Sequence, residues 1–137
     1  MNTTAEHPMV SIVSVNYDQP EVTCEMLETL RNVTYPNFET LIVDNASPST
    51  SPYAIKERYP EVELIVSEKN LGFAGGNNIA LKKAKGDYIL LLNNDTEVQP
   101  DFLDSLVDLM ESDDTIGIVS SKILYFYEDN TIQYAGA

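Results

Sequence analysis

Tyr88-Ile89-Leu90-Leu91-Leu92-Asn93-Asn94-Asp95-Thr96-Glu97 is apolar for five residues and then turns polar and acidic at once. An apolar run of this length, preceded by Gly86 and closed by polar residues, predicts a strand buried on both faces at the centre of a parallel sheet. Ligands of open α/β sheets sit at the carboxyl ends of the strands, and this end carries two amides and two carboxylates. Oxygen donors of that kind suit a hard cation such as Mg²⁺ or Mn²⁺, and through it a diphosphate. A polar turn that merely caps the next helix explains this stretch equally well by itself. The remainder of the chain decides between them.

Working outward, Met9 to Val15 is rich in β-branched residues and predicts the first strand, ending at Asn16-Tyr17-Asp18. Asp18 and Glu21 have the spacing of a capping box, Pro20 suits a first turn, and Val22, Met26, Leu27 and Leu30 share a helical face to about Arg31. Phe38 to Val43 predicts a second strand, stopping at Asp44-Asn45-Ala46-Ser47. Ser51 is the expected cap of a short helix through Tyr59, and Val62 to Val66 the third strand. Glu68 to Asn78 reads as a loop too rich in Gly and Asn for regular structure, followed by a helix from Asn77 to Lys85 that Gly86 caps. Pro100 opens an amphipathic helix with Phe102, Leu103, Leu106, Leu109 and Met110 inward. Ile116 to Val119 and Ile123 to Tyr127 are expected to add further strands.

Strand and helix thus alternate four times, which predicts a three-layer α/β/α sandwich, Rossmann-like, with a mostly parallel sheet in the order 3-2-1-4 and right-handed crossovers. In that order Asn16-Tyr17, Asp44-Asn45, the Gly and Asn loop, and Asn94-Asp95 all fall on the carboxyl edge. Their concentration there favours one shared site over scattered turns.

Composition narrows the chemistry. The 137 residues fit one domain with a real core, and 43% are hydrophobic. Eight Lys and Arg against 22 Asp and Glu leave a formal charge of -14, which argues against a nucleic-acid surface. A phosphate bound here needs a metal ion, helix N-termini or a few placed cations. Cys24 is the sole cysteine and sits in an amphipathic helix, so packing is its expected role and no intrachain disulfide is available. Residues 1–8 read as a polar, disordered tail without a signal sequence, His7 included as incidental, and residues 9–137 as the folded part. No stretch is apolar enough to span a membrane, and a cytoplasmic setting is expected. A nicotinamide or P-loop site is poorly supported, because Gly72, Gly75 and Gly76 follow strand three without either spacing.

Taken together, Val13-Ser14-Val15-Asn16-Tyr17, Leu41-Ile42-Val43-Asp44-Asn45-Ala46-Ser47, Asn70-Leu71-Gly72-Phe73-Ala74-Gly75-Gly76-Asn77-Asn78 and Leu91-Leu92-Asn93-Asn94-Asp95-Thr96 resemble the nucleotide-sugar-binding half of a family 2 inverting glycosyltransferase with the GT-A fold. Within it they are most similar to the rhamnosyltransferase-like branch. The resemblance runs from about Met9 to Ala137. It implies that Asn16 and Tyr17 lie beside the nucleoside base and that Asp44, with Asn45, bonds the base or ribose. It makes Asn70, Gly72, Phe73, Gly75 and Asn77 part of a loop over the nucleotide, and aligns Asn93-Asn94-Asp95 with the family's D-x-D motif. Asn94 then faces the nucleotide, Asp95 holds Mg²⁺ or Mn²⁺, and Glu97 is the second candidate ligand. Replacement of the first Asp by Asn implies a weaker grip on the metal.

The donor implied is a dTDP- or UDP-sugar, and the acceptor a glycan or lipid-linked hydroxyl, the latter bringing the protein to the inner face of the membrane. The family's catalytic base belongs to a later segment; Glu128 and Asp129 do not match it, so the chain is expected to be truncated and to self-associate through exposed apolar surface. A non-catalytic nucleotide-binding or interaction module of natural length is the competing reading.

Overall fold

The computed structural model describes residues 7–128 and 130–135. The expectation of a disordered tail over residues 1–6, and Asp129, therefore lie outside the described residues. His7 and Pro8 are tied down: the His7 ring meets Tyr35 edge-on at 5.4 Å, Asn37 Nδ2 donates to the His7 carbonyl, and the Tyr35 hydroxyl donates to that of Pro8 at 2.6 Å.

Four strands, β1 (Val10–Asn16), β2 (Phe38–Asp44), β3 (Glu63–Val66) and β4 (Tyr88–Leu91), form an all-parallel sheet in the order β3-β2-β1-β4. The strand order and the alternation with helices are those expected from the apolar periodicity. Helices α1 (Pro20–Leu30), α2 (Tyr53–Arg58), α3 (Gly72–Leu81) and α4 (Phe102–Glu111) complete three layers. Strand alternation sorts the core into two parts. Val10, Ile12 and Ile42 pack beneath α1, α2 and α4 with Met26, Leu27, Leu30, Ile55, Tyr59 and Leu103. On the other face Val13, Leu41, Val43 and Ile65 pack against Ala80 and Ile79 of α3.

Several local expectations are corrected. The interior strands are β1 and β2, each paired on both sides, while β4 is an edge of this sheet. Tyr88, Leu90 and Leu92 pack on the α1/α4 side, but Ile89 and Leu91 remain 44% and 51% exposed. The reason is coverage: α3 lies over β1 and β2, and none of the described residues closes the face of β4 beside it. An unbroken apolar run records that both faces can be buried, not that both are.

No capping box forms. Gln19 is the N-cap of α1 and makes no side-chain cap bond, because the Asp18 carboxylate is taken by Ser49 N–H and the Thr50 hydroxyl, both at 3.0 Å. Pro52, not Ser51, precedes α2. Helix α3 starts at Gly72, inside the expected loop, and ends at Leu81. Gly86 is no cap; a Cβ there would lie 2.5 Å from Ser11 N and 2.8 Å from Met9 O, so it is the close approach that lets the chain enter β4 beside β1.

In α4 the buried pair is Leu103 and Val107, one turn apart, and Leu109 faces solvent. Ile116 to Val119 forms no strand, and the last apolar run gives only an antiparallel pair, β5 (Ile123–Leu124) with β6 (Ile132–Tyr134), separate from the main sheet. No helix among the described residues is long and apolar enough to cross a membrane.

Candidate functional site

The carboxyl ends of the four parallel strands face one way, and a cleft of about 440 Å³ opens above them. Val15, Tyr17, Gln19, Asn45, Asn70, Gly72, Phe73, Asn93, Asn94 and Asp95 line it, so loops after all four strands contribute. Among the expected site residues, Tyr17, Asn45, Asn70, Gly72, Phe73, Asn94 and Asp95 are brought together here. Tyr17 and Phe73 are both exposed aromatics, and among the described residues Asp95 is the sole carboxylate of the wall, with no Lys or Arg beside it.

The loop after β3 is shaped by Asn45. Its Nδ2 donates to Asn70 Oδ1 and to the Gly72 carbonyl, each at 3.0 Å, and its Oδ1 accepts from Leu71 N–H at 2.9 Å. One amide thereby satisfies three groups of a segment that has no strand or helix partners of its own. This clamp is why α3 begins as early as Gly72, whose φ of +69° a side chain would strain. At the start of α3 the Gly72 N–H donates to Asn70 Oδ1 at 2.8 Å, and the N-terminal dipole of the helix is directed at the cleft that Gly72 and Phe73 line. Gly75 and Asn77 lie within α3. A Cβ at Gly75 would meet Leu71 Cβ at 2.6 Å, and Asn77, buried, donates to the Phe73 carbonyl. These two residues shape the helix that carries Gly72 and Phe73 and do not line the cleft.

Asn16 and Asp44 sit behind the wall. They are 0% and 1% exposed, and register places them side by side at the ends of β1 and β2. Asp44 Oδ1 accepts from Asn16 Nδ2 at 2.8 Å and from the Ser47 hydroxyl at 2.5 Å, and Oδ2 accepts from Ser47 N–H at 3.1 Å. The direct contact with base or ribose expected of this pair is not open to it in this conformation, because its polar atoms are spent on holding the two loops. Ser47 extends the tie by accepting from Asp18 N–H at 2.8 Å.

Thr23, which the sequence reading passed over, links this pair to β4. Its hydroxyl donates to Asn16 Oδ1 at 2.8 Å and accepts from Asn94 Nδ2 at 3.1 Å. The signal was available: Thr23 is a polar residue on the buried stripe of α1, beside Cys24, Met26 and Leu27, in the turn nearest the strand ends. Val15 and Ser47 stand inside the quoted motifs but were assigned no role, and Gln19, which also lines the cleft, was passed over.

Asp95 makes no hydrogen bond or ion pair among the described residues, and Asn94 Oδ1 has no protein donor there; of the other polar side chains of the wall, those of Asn45 and Asn70 are engaged. Glu97, two residues on, is exposed and does not line the cleft. No cluster of three or more His, Cys, Asp or Glu occurs among the described residues. A single free carboxylate with amide oxygens fits the way Mg²⁺ or Mn²⁺ is held when a ligand's phosphates and water complete the coordination shell, rather than an all-protein cage. Cys24 plays no part: it is buried beneath α1, and burial pushes its thiol above the ordinary range.

Comparison with known proteins agrees with this geometry. The chain is 34% identical over 133 residues to the O-antigen biosynthesis protein RfbC of Myxococcus xanthus, covering 94% of this chain and 10% of that protein. A mannosyltransferase from Pyrobaculum calidifontis, PcManGT, solved in complex with GDP-Man and Mn²⁺, superposes with a TM-score of 0.73 at 26% identity, over 82% of this chain and 35% of that one. Staphylococcus aureus TarS (residues 1–349) in complex with UDP-GlcNAc superposes with a TM-score of 0.66 at 28% identity, over 75% of this chain and 31% of that one. The chain thus spans less than half the length of these relatives. Residues 11–136 match the family described as Glycosyl transferase family 2. Since that match runs from the second residue of β1 past the end of β6, it takes in every element that builds the cleft, and the chain belongs to glycosyl transferase family 2.

Proposed function

We propose that this chain forms the donor-binding part of a glycosyltransferase, which takes a sugar from a nucleoside-diphosphate sugar and passes it with inversion to an acceptor hydroxyl. The observation that carries the reading is the convergence of Tyr17, Asn45, Gly72, Phe73, Asn94 and Asp95 on one cleft, in a chain of this family. Tyr17 and Phe73 supply apolar ring surface for a nucleoside base. The diphosphate would lie near the first turn of α3, and Asp95 with the side-chain oxygen of Asn94 would hold the Mg²⁺ or Mn²⁺ that accompanies it. With no Lys or Arg in the wall and a net charge of -14, the cation supplies the positive charge that the polypeptide lacks. When bound, it stabilises the charge that builds on the departing diphosphate.

In the reaction, the bond from the acceptor oxygen to the anomeric carbon forms as the bond from that carbon to the diphosphate oxygen breaks. The hydroxyl proton goes to a carboxylate base, for which we assign no residue of the cleft. The GDP-Man and UDP-GlcNAc complexes of the structural relatives support a nucleotide-sugar donor in general. The finer reading rests on the Asn93-Asn94-Asp95 resemblance to the rhamnosyltransferase-like branch: a pyrimidine nucleotide, dTDP ahead of UDP. The O-antigen role named for RfbC supports a glycan or lipid-linked acceptor.

Calorimetric titration of the chain with dTDP, UDP and GDP, each with and without Mn²⁺, tests this. Binding is expected to depend on the metal and to favour the pyrimidines. Asp95→Asn and Asp95→Ala are each expected to weaken metal-dependent binding by about 1–3 kcal/mol, the loss for a charged partner, with the melting temperature of the free protein nearly unchanged. Equal binding of purine and pyrimidine nucleotides would remove the pyrimidine assignment. Absence of metal-dependent binding to any of the three would favour a non-catalytic interaction module instead.

A further inference from the structure

The polar atoms behind the cleft form a single line of hydrogen bonds: Asp44, Asn16, Thr23, Asn94. Three of the four members, Asp44, Asn16 and Thr23, are buried, and Asn94 alone reaches the cleft. The line has a direction, and the direction can be derived. The carboxylate oxygens of Asp44 accept, so Asn16 must turn its Nδ2 toward them, which leaves its Oδ1 toward Thr23. An oxygen there requires Thr23 to donate its one hydroxyl proton to it, at 2.8 Å. The alternative acceptor, the Gln19 carbonyl, is farther at 3.2 Å. Having spent its proton, the Thr23 oxygen can only accept from Asn94, so Asn94 must present Nδ2 inward at 3.1 Å. The Asn94 side-chain oxygen is thereby left out of the network, on a residue that lines the cleft next to Asp95.

We propose that Thr23 is a positioning residue which, acting through Asn94, transmits the orientation imposed by Asp44 and keeps the negative end of the Asn94 amide beside Asp95 for a divalent cation carrying the nucleotide diphosphate. An Asn94 amide flipped by half a turn would present its NH₂ group to the cation and repel it. The proposal rests on the donor-binding reading above, and it gives buried Asp44 a role in binding that needs no contact with the ligand. Hydrogen bonds made behind metal-holding groups orient them and raise affinity, and their loss typically weakens metal binding about 10- to 100-fold.

The test uses the 137-residue chain, UDP and Mg²⁺, with UDP affinity measured by calorimetry with and without the metal. Thr23→Val keeps the shape and removes the hydroxyl; it is expected to reduce the metal-dependent gain in UDP affinity about 10-fold or more, while metal-free affinity stays at the wild-type value. Thr23→Ser, which restores the hydroxyl, is expected to recover the gain. Independently of any ligand, the Asn94 side-chain amide is expected to give NMR signals protected from solvent exchange in the wild type and in Thr23→Ser, but not in Thr23→Val. A wild-type metal-dependent gain that Thr23→Val leaves intact would overturn the positioning role alone. A wild type that shows no such gain with UDP, dTDP or GDP would overturn the donor-binding reading and this inference with it. Should Thr23→Val fail to fold by circular dichroism, the wild-type NMR measurement decides: an Asn94 amide exchanging as fast as that of an exposed asparagine overturns the proposal.

Discussion

Asp18 shows how a single side chain can fasten two loops of the cleft. Its φ of +57° places it in the left-handed region, which Asp and Asn tolerate better than most residues. That turn aims its carboxylate across to the loop after β2, where Ser49 N–H and the Thr50 hydroxyl donate to it. Partial loss of water would raise its pKa, but the hydrogen bonds from Thr50 and Ser49 outweigh this and hold it below the ordinary 3.8. The sign of the pH effect follows. A group whose folded pKa is depressed contributes its full stability above the unfolded value, and that contribution is lost as pH falls through the folded value. Asp18→Asn preserves the left-handed turn and removes the charge. Thermal melts of the two proteins are therefore expected to differ by a constant amount above about pH 5 and to converge as the pH falls below 3.8. A difference that persists unchanged in acid would show that the shape of the side chain, not its charge, fastens the loops.

At the scale of elements, the junction between α3 and β4 is governed by Gly86. The chain passes so near β1 that Gly86 N–H donates to the Ser11 hydroxyl at 2.8 Å, and Ser11 in turn donates to Glu39 Oε1 of β2 at 2.7 Å. A Cβ at this position would overlap backbone atoms, which cannot swing aside as a flexible side chain can. Gly86→Ala is expected to destabilise the fold by roughly 1–3 kcal/mol, the usual cost of overpacking, read as a lowered denaturant midpoint in urea. At Gly72 the nearest atoms leave open space, so Gly72→Ala is limited by its positive φ alone. Helix α2 is held differently, by the buried Ile55 and by Tyr59 just past its end. The Tyr59 hydroxyl donates into the Cys24 carbonyl at 2.9 Å, and its ring carries the Arg31 guanidinium at 4.2 Å. A six-residue helix has little stability of its own, and these contacts are what keep it on the sheet.

The whole molecule carries two opposed surface properties. Ile89 and Leu91 on the uncovered face of β4 are joined as exposed apolar residues by Ile118, Ile123, Leu124, Tyr125, Phe126 and Tyr127. Edge strands and apolar patches of this kind promote association. A charge of -14 opposes it, and does so over a distance that salt shortens to about 3 Å near 1 M. Sedimentation velocity is therefore expected to show this chain largely monomeric at low ionic strength and increasingly associated as salt rises. Ile89→Lys combined with Leu91→Lys should suppress the salt-induced species without lowering the melting temperature, because neither side chain is part of the buried core. Association that weakens with added salt would assign it to ion pairs instead of the β4 face.

Local order was legible from the chain alone wherever one periodicity ruled. The β-branched runs of β1 and β2, the stripe of α1 and the alternation of strand with helix determine a parallel α/β sheet and its order, because side-chain period and crossover handedness leave few alternatives. They also place Asn16, Asp44, Asn45 and Asn94 on one edge. What residue types could not reveal is which of these face the cleft and which stand behind it. Asn16 and Asp44 are as polar as Asn45 and Asn94, and only strand register and the packing of α1 decide that the first two are buried. The early start of α3 depended on Asn45, 27 residues before Gly72, whose side chain satisfies a loop that local propensity leaves unstructured. The exposed face of β4 depended on where α3 comes to rest. Each of these is a long-range contact, and a periodic pattern within one segment carries no information about what another segment will lay against it.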